Sequence, residues 1–280
     1  MSSQALTREN ELPIAEVAFG DIAEQANAIA QIFDCSMAGV IVRGVIQPDH
    51  AAELVRRIES DGGSLPSFRP PTLKGCIYGR PLVSAGNGLR DYLNDAKTFR
   101  VLCAEVFPEY PRIEQRIDQA LKGLGGGRPV TVPCDRDGSP YLAATVRGLR
   151  DGDQLPLHFE NETLQRPVMN GLRPLLDLST LMSFYVPLVI PQDGGELRLF
   201  HTNCLKGGDS LINRLGGEEK ARPHFEERGF QTVVPGVGDL LVFDGGRWYH
   251  DVTPITAGSR WTLGGFLAVT RDHQAVHYWS

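Results

Sequence analysis

The sequence lacks the features that mark several large classes of protein. Its five cysteines are widely spaced and form no CxxC pair, so neither a disulfide framework nor a zinc knuckle is indicated. No apolar run approaches the roughly 18 residues that a membrane span needs, and the polar start MSSQALTRENELP lacks the apolar segment of a secretory signal. The 28 Lys and Arg residues form no runs, so neither a nucleic-acid polymer nor a membrane is indicated as a partner. These absences favour a cytoplasmic protein.

Glycine and proline are abundant, at 31 and 19 of 280 residues, which favours turns and short strands over a helical bundle. In the first half of the chain, hydrophobic periodicity predicts a short strand, three helices and a loop rich in Gly, Ser and Pro. The strand covers 38–46 and the loop covers 61–90. The first helix begins at Pro48, the second covers 91–106 and the third covers 111–122.

The texture of the sequence changes near residue 140. Short β-rich runs such as LMSFYVPLVI alternate with Gly, Asp and Pro turns, a pattern typical of an antiparallel sandwich or barrel. We therefore predict a mainly β fold with flanking N-terminal helices. A single domain is expected over 1–280, with a helical N-terminal part at about 1–135 and a β core at about 136–280.

The motif LPLHFEN places His158 and Glu160 at the end of a predicted strand. Side chains alternate along a strand, so an imidazole and a carboxylate two positions apart project from the same face. Together they are two of the three ligands of the facial triad that binds non-haem Fe(II). An HxE motif is common by chance, however, and taken alone it favours an ordinary His beside a solvated Glu.

A second signal lies in GDLLVFDGGRWYHDVTPITAGSRWTLGGF, where His250 follows an apolar strand. Arg260 comes ten residues later and Thr262 two after that, so on a strand these two side chains share a face. A guanidinium beside a hydroxyl suits a carboxylate, because Arg binds such a group through two hydrogen bonds. The alternative is a turn His and an exposed strand Arg.

In this order and spacing, the residues His158, Glu160, His250, Arg260 and Thr262 resemble the Fe(II)/2-oxoglutarate-dependent oxygenase superfamily. The opening GVIVRGVIQPDHAAELVRRIE and the turn Gly194-Gly195-Glu196-Leu197 resemble its prolyl-hydroxylase-like branch. The runs around the two histidines look most like the small-molecule group of that branch, which contains amino-acid hydroxylases and halogenases. The resemblance covers roughly 140–270 and implies a double-stranded β-helix, the jelly-roll or cupin-like core of the superfamily.

The resemblance also implies the cofactors and the chemistry. Fe(II) is expected on His158, Glu160 and His250, with 2-oxoglutarate and O2 as cosubstrates. The distal carboxylate of 2-oxoglutarate is expected at Arg260, with Thr262 as a hydrogen-bond donor. The halogenases carry Gly or Ala in place of the carboxylate ligand, which leaves a position for halide. Because this chain keeps a carboxylate, hydroxylation of a small amino-acid-like or related polar metabolite is expected; Glu departs from the usual Asp.

Further residues are weaker candidates. Tyr185 and Arg147 are assigned to the cosubstrate, although sheet packing explains Tyr185 better and a structural role explains Arg147 at least as well. Asn161, Tyr78 and Arg80 are assigned to the substrate, the last two because the N-terminal loop is expected over the mouth of the barrel. His201 is a rival metal ligand, and Trp248 is expected in the core.

Two other functions stay open at this point. A Zn(II) hydrolase could use the same two histidines and glutamate, and a cupin-like module could bind metal without catalysis. Neither needs Arg260 and Thr262 at their spacing. The sequence leaves the oligomeric state open, with a homodimer as one option.

Overall fold

The computed structural model describes residues 13–71, 74–85, 88–203 and 210–280. The helices are α1 (Ala28–Phe33), α2 (Pro48–Asp61), α3 (Leu89–Val106), α4 (Tyr110–Gly123), α5 (Leu211–Arg214) and α6 (Glu218–Arg228). The strands are β1 (Ile14–Ala18), β2 (Gly39–Arg43), β3 (Ser67–Phe68), β4 (Cys76–Tyr78), β5 (Val130–Thr131), β6 (Thr145–Leu149), β7 (Leu155–His158), β8 (Met182–Val189), β9 (Asp193–Gly194), β10 (Leu197–Asn203), β11 (Phe230–Val233), β12 (Leu240–Phe243), β13 (Trp248–Val252), β14 (Ile255–Ala257), β15 (Arg260–Val269) and β16 (Val276–Trp279).

Two mainly antiparallel sheets, with most of their strands from the second half of the chain, form the predicted core. The larger sheet has the order β1-β2-β12-β8-β15-β6-β4-β3, with β16 and β5 attached through β15, and the smaller one has the order β11-β10-β13-β7. Apolar side chains of both sheets pack between them, among them Ile41, Leu241 and Phe243 from the larger sheet and Leu199 and Val252 from the smaller. This is the double-stranded β-helix core that the sequence predicts, and the predicted flanking α-helices are present as well.

The three long N-terminal helices cover the outer face of the larger sheet. In α2, the stripe Ala51, Leu54, Val55 and Ile58 is buried, as its periodicity predicts. The main core cluster continues through α3 and α4 into β8 and β15. None of the helices in the described ranges is long and apolar enough to cross a membrane.

The N-terminal part also supplies five short strands, of which β2 lies inside the strand predicted at 38–46. β1 and β2 form one edge of the larger sheet, while β3 and β4 form the other. β3 and β4 lie inside the loop predicted at 61–90 and have two and three residues. Strands this short carry no readable alternation, and they exist because β4 pairs with β6.

The cysteines behave as free thiols where the structure describes them. Cys35, Cys76, Cys103 and Cys134 are unpaired, and Cys204 lies outside the described residues.

Candidate active site

His158 and His250 lie directly opposite each other on β7 and β13 of the smaller sheet. Their ring centroids are 4.2 Å apart. Glu160 begins a short 3-10 helix after Phe159, which stays extended and packs on Tyr249 on the opposite side. The extended residue between them brings the side chains of His158 and Glu160 to one face, as the alternation argument predicts.

Backbone carbonyl groups fix the orientation of both imidazoles. Nδ1 of His158 lies 2.6 Å from the carbonyl of Pro156, and Nδ1 of His250 lies 2.9 Å from that of Trp248. A proton on each Nδ1 satisfies these contacts and leaves the lone pair of each Nε2 free. The two Nε2 atoms lie 3.6 and 3.7 Å from Oε1 of Glu160.

This donor set fits a divalent transition metal. The potential ligand atoms of His158, Glu160 and His250 lie within 4.8 Å of one another. Two imidazole nitrogens and one carboxylate on one side are the donor set of non-haem Fe(II), and the carbonyl groups behind the rings supply the supporting hydrogen bonds that such ligands need.

The three groups influence one another electrostatically. Burial opposes the charge on Glu160, but the favourable interaction with the two nearby histidines outweighs it and holds the pKa of Glu160 well below its usual range. Burial also opposes a charge on His158, where the nearby carboxylate prevails and raises its pKa. For His250, burial and repulsion from His158 prevail and lower its pKa. The carboxylate is thus ionised, as a metal ligand must be.

A hydrogen-bonded turn holds Glu160 in place from behind. The backbone N–H of Glu160 donates a hydrogen bond to the carbonyl of Gly245 at 2.8 Å. The amide of Asn161 donates to the carbonyl of Ser179 and accepts from the N–H of Leu181. Both polar atoms of the Asn161 side chain are therefore hydrogen-bonded to the backbone. We assign this candidate substrate residue a supporting role for its neighbour Glu160 instead of a substrate contact.

The metal-ligand cluster opens into a cavity of about 280 Å³ between the two sheets. Arg260 and Thr262 of β15 line it, as does Tyr185 of β8. Arg260 is only 8% exposed, and its guanidinium lies over the Tyr185 ring, 5.1 Å from the centroid. The structure thus brings the predicted cosubstrate residues into one cavity with the three potential ligands.

Arg147 of β6 also lines this cavity and stands directly opposite Thr262 in the sheet. Burial lowers its pKa, while Glu160 counteracts and Arg260 adds to that effect. No hydrogen bond or ion pair to its guanidinium is found within the described ranges. Arg147 therefore faces the cavity with no hydrogen-bond or ion-pair partner among the described residues, and Glu160 is the nearby opposite charge.

Other sequence candidates lie outside the cavity lining. Tyr78 stacks on Trp261 with ring centroids 6.0 Å apart, and Arg80 pairs with Asp95 at 3.2 Å. His201 is not part of the potential metal cluster. The N-terminal loop does reach the cavity, but through apolar side chains, which are Phe68, Pro70, Ile77, Pro81 and Val83.

Ser183 is a lining residue that the sequence reasoning missed. It precedes Tyr185 by two positions on β8, so both face the cavity. Its hydroxyl is buried and has no hydrogen-bond partner within the described residues. The alternation that selected Tyr185 contains the signal for Ser183 as well.

Comparison with known proteins decides the family. The profile described as "Carrier-protein-independent halogenase WelO5" matches residues 13–280. The chain belongs to the WelO5 family. As a member of this family it is an Fe(II)/2-oxoglutarate-dependent oxygenase, with Fe(II), 2-oxoglutarate and O2 as its cofactor and cosubstrates. The superfamily inferred from the motifs is confirmed, and neither a Zn(II) hydrolase nor a non-catalytic module gains support.

Solved structures agree on the fold of this WelO5-family member. A novel N-substituted L-amino acid dioxygenase from Burkholderia ambifaria AMMD has 13% sequence identity and a TM-score of 0.53, covering 93% of this chain and 92% of that one. Its complex with α-ketoglutarate has 14% identity and a TM-score of 0.53 over the same shares. Curated protein sequences give no significant match.

Proposed function

We propose that this protein hydroxylates an unactivated C–H bond of a small amino-acid-like or related polar metabolite. His158, Glu160 and His250 would hold the iron, and Arg260 with Thr262 would hold the distal carboxylate of 2-oxoglutarate. When bound, iron and 2-oxoglutarate supply oxidation of a C–H bond by O2, with release of succinate and CO2.

The observation that carries hydroxylation over halogenation is the carboxylate of Glu160. The profile of this family is described as a halogenase, and the halogenases that this chain resembles have Gly or Ala at the position of Glu160. Here the Glu160 carboxylate faces both imidazoles at 3.6 and 3.7 Å, and the turn at Gly245 fixes its backbone. An ionised carboxylate occupies the position that halide would need.

The protein contributes position and exclusion of water. The buried guanidinium of Arg260 offers a bidentate contact in a site of low dielectric constant, where such a pair is strong. Apolar side chains of both sheets and of the N-terminal loop form much of the remaining lining of the cavity. A substrate bound there has its reacting bond held beside the metal ligands and away from bulk solvent.

Exchange of Glu160 tests this proposal. We expect the wild-type protein, supplied with a panel of amino-acid-like metabolites, to form succinate together with a product that has gained one oxygen atom. Glu160→Gly should reduce the hydroxylated product at least about a hundredfold, because a ligand is lost, whereas Glu160→Asp keeps a carboxylate and should retain part of the activity. Product mass is measured with and without chloride. A chlorinated wild-type product, or full hydroxylation by Glu160→Gly, would contradict the proposal.

A further inference from the structure

An irregularity interrupts the pairing of the two strands that carry the potential histidine ligands. His158 and His250 stand opposite each other, and directly beside them the register of β7 and β13 shifts by one residue. β7 places both Pro156 and Leu157 opposite Asp251 alone. Pro156 has no N–H to donate, and a bulge of this kind disrupts the backbone ladder locally. Regular backbone pairing between the two strands therefore ends next to both histidines.

Side chains of α6 span this bulge on the face of the smaller sheet that lies away from the cavity. Asp251 alternates with His250, so its carboxylate points to that face, where the residue is only 1% exposed. Arg222 donates from Nη1 to Oδ2 of Asp251 at 2.8 Å and from Nη2 to Oε1 of Glu218 at 2.5 Å. Oε1 of Glu218 also accepts the backbone N–H of Leu157 at 3.2 Å. This α6 bridge, formed by Asp251, Arg222, Glu218 and Leu157, joins the residue after one histidine to the residue before the other.

Arg222 is the member of the α6 bridge that connects the two strands. Arg198 also holds Asp251, through a bidentate contact at 2.9 and 2.6 Å, but it lies on β10, the other neighbour of β13. Glu226 approaches Arg222 only to 3.9 Å. Without Arg222, Asp251 stays anchored to β10 and Glu218 stays anchored to β7, so the bridge across the bulge is broken.

The apolar part of α6 packs behind the same ligands. The ring of Phe225 lies 4.7 Å from that of Tyr249, and the ring of Tyr249 lies 4.8 Å from that of Phe159, measured between centroids. Tyr249 directly precedes His250, while Phe159 lies between the other two potential ligands. The packing of α6 thus fixes the place from which Arg222 reaches the sheet.

We propose that Arg222 is a positioning residue of the metal site. It links Asp251 to Glu218 and so sets the distance between β13 and β7. The distance between the Nε2 atoms of His250 and His158 follows from that spacing. Each imidazole already takes its orientation from a carbonyl of its own strand, so the spacing of the strands is the part of the geometry that the α6 bridge supplies. The inference rests on the proposed function, from which it takes the iron ligands.

Metal binding, measured without turnover, tests the inference. Fe(II) is titrated calorimetrically into the whole chain under anaerobic conditions, and the visible Fe(II)–2-oxoglutarate band is recorded at saturating iron. Arg222→Met should raise the Fe(II) dissociation constant at least about tenfold, as loss of a group that orients metal ligands does, and should shift or weaken the band. Arg222→Lys keeps the charge but not the fork that reaches both carboxylates, so it should recover only part of the affinity.

Two control variants separate positioning from a general loss of stability. Ile113→Val removes a buried methyl group from α4, outside the cavity lining, and should lower the melting temperature while leaving the Fe(II) constant and the band unchanged. Arg228→Met changes an exposed arginine in the last turn of α6 and should alter none of the three quantities.

Glu218→Ala breaks the α6 bridge at its other end and should also weaken Fe(II) binding. In the double variant with Arg222→Met, the two losses should not multiply, because both changes break one connection. If Arg222→Met does not fold, Glu218→Ala and Arg222→Lys still decide.

Three results would overturn the inference. They are an Fe(II) constant within about twofold of wild type in folded Arg222→Met, an equal weakening in Ile113→Val, and losses that multiply in the double variant. Failure of the proposed function is distinguishable, because the wild-type protein would then form no hydroxylated product, whereas the effect of Arg222 on Fe(II) affinity is measured without substrate.

Discussion

Single residues determine the chemistry of this site, and Arg260 is a clear case because its buried charge requires an anion. Its guanidinium is almost fully buried, and no acidic partner within the described residues neutralises it. A buried cation of this kind is unfavourable until an anion binds. The distal carboxylate of 2-oxoglutarate is the anion that the family supplies.

Arg260→Ala should therefore weaken 2-oxoglutarate binding. Loss of a charge-assisted bidentate contact costs about 2–3 kcal/mol, which corresponds to about a 30- to 150-fold rise in the dissociation constant. Calorimetry of the anaerobic Fe(II) protein measures the constant directly. Arg150→Ala serves as the control and should leave it unchanged. A constant within error of wild type in Arg260→Ala would show that Arg260 is not the anchor.

At the scale of elements, one turn supports the metal-ligand cluster. Residues 244–247 form this turn directly after β12. The carbonyl of Gly245 in the turn accepts a hydrogen bond from the backbone N–H of Glu160. Asp244 is fully buried and bonds Thr180 and Arg247, both at 2.5 Å, while Arg247 also donates to the carbonyls of Ile32 and Phe33 in α1. The turn thus joins both sheets and an N-terminal helix behind the candidate iron ligand.

Gly246 is the point where this turn tolerates no side chain. A Cβ there would lie 2.3 Å from Oδ1 of Asn161 and 2.5 Å from the N of Leu181. Gly246→Ala should therefore displace Asn161 and Glu160, cost about 1–3 kcal/mol of unfolding free energy, and weaken iron binding. Urea unfolding and anaerobic iron titration measure the two effects.

Gly20→Ala is the matched control for that substitution, since a Cβ at Gly20 meets nothing within 4 Å. It should leave both stability and iron affinity near their wild-type values. Equal behaviour of the two variants would refute the supporting role of the turn.

Elements also show what the sequence could predict. The long helices and the strand carrying Tyr185 follow from hydrophobic periodicity, and His158, Glu160 and His250 were found because their residue types and order are specific. β3 and β4 could not be read, because two or three residues carry no period and the pairing that creates them is long-range. For the same reason, the contribution of Phe68 and Ile77 to the cavity lining could not be read from the sequence.

At the scale of the whole molecule, the site exists only when distant segments come together. The two histidines lie 92 positions apart in numbering yet oppose each other in the smaller sheet, while Arg260 comes from the larger sheet. We propose that this assembly binds Fe(II) and 2-oxoglutarate together, with Arg260 as the distal anchor.

The most direct test is the visible charge-transfer absorption of the anaerobic protein. We predict a weak band when 2-oxoglutarate is added to the Fe(II)-loaded wild-type protein, and no band in His250→Ala, which loses a ligand but keeps Arg260. Circular dichroism confirms that both proteins are folded. Absence of the band in folded, iron-loaded wild-type protein, or an undiminished band in His250→Ala, would contradict the account.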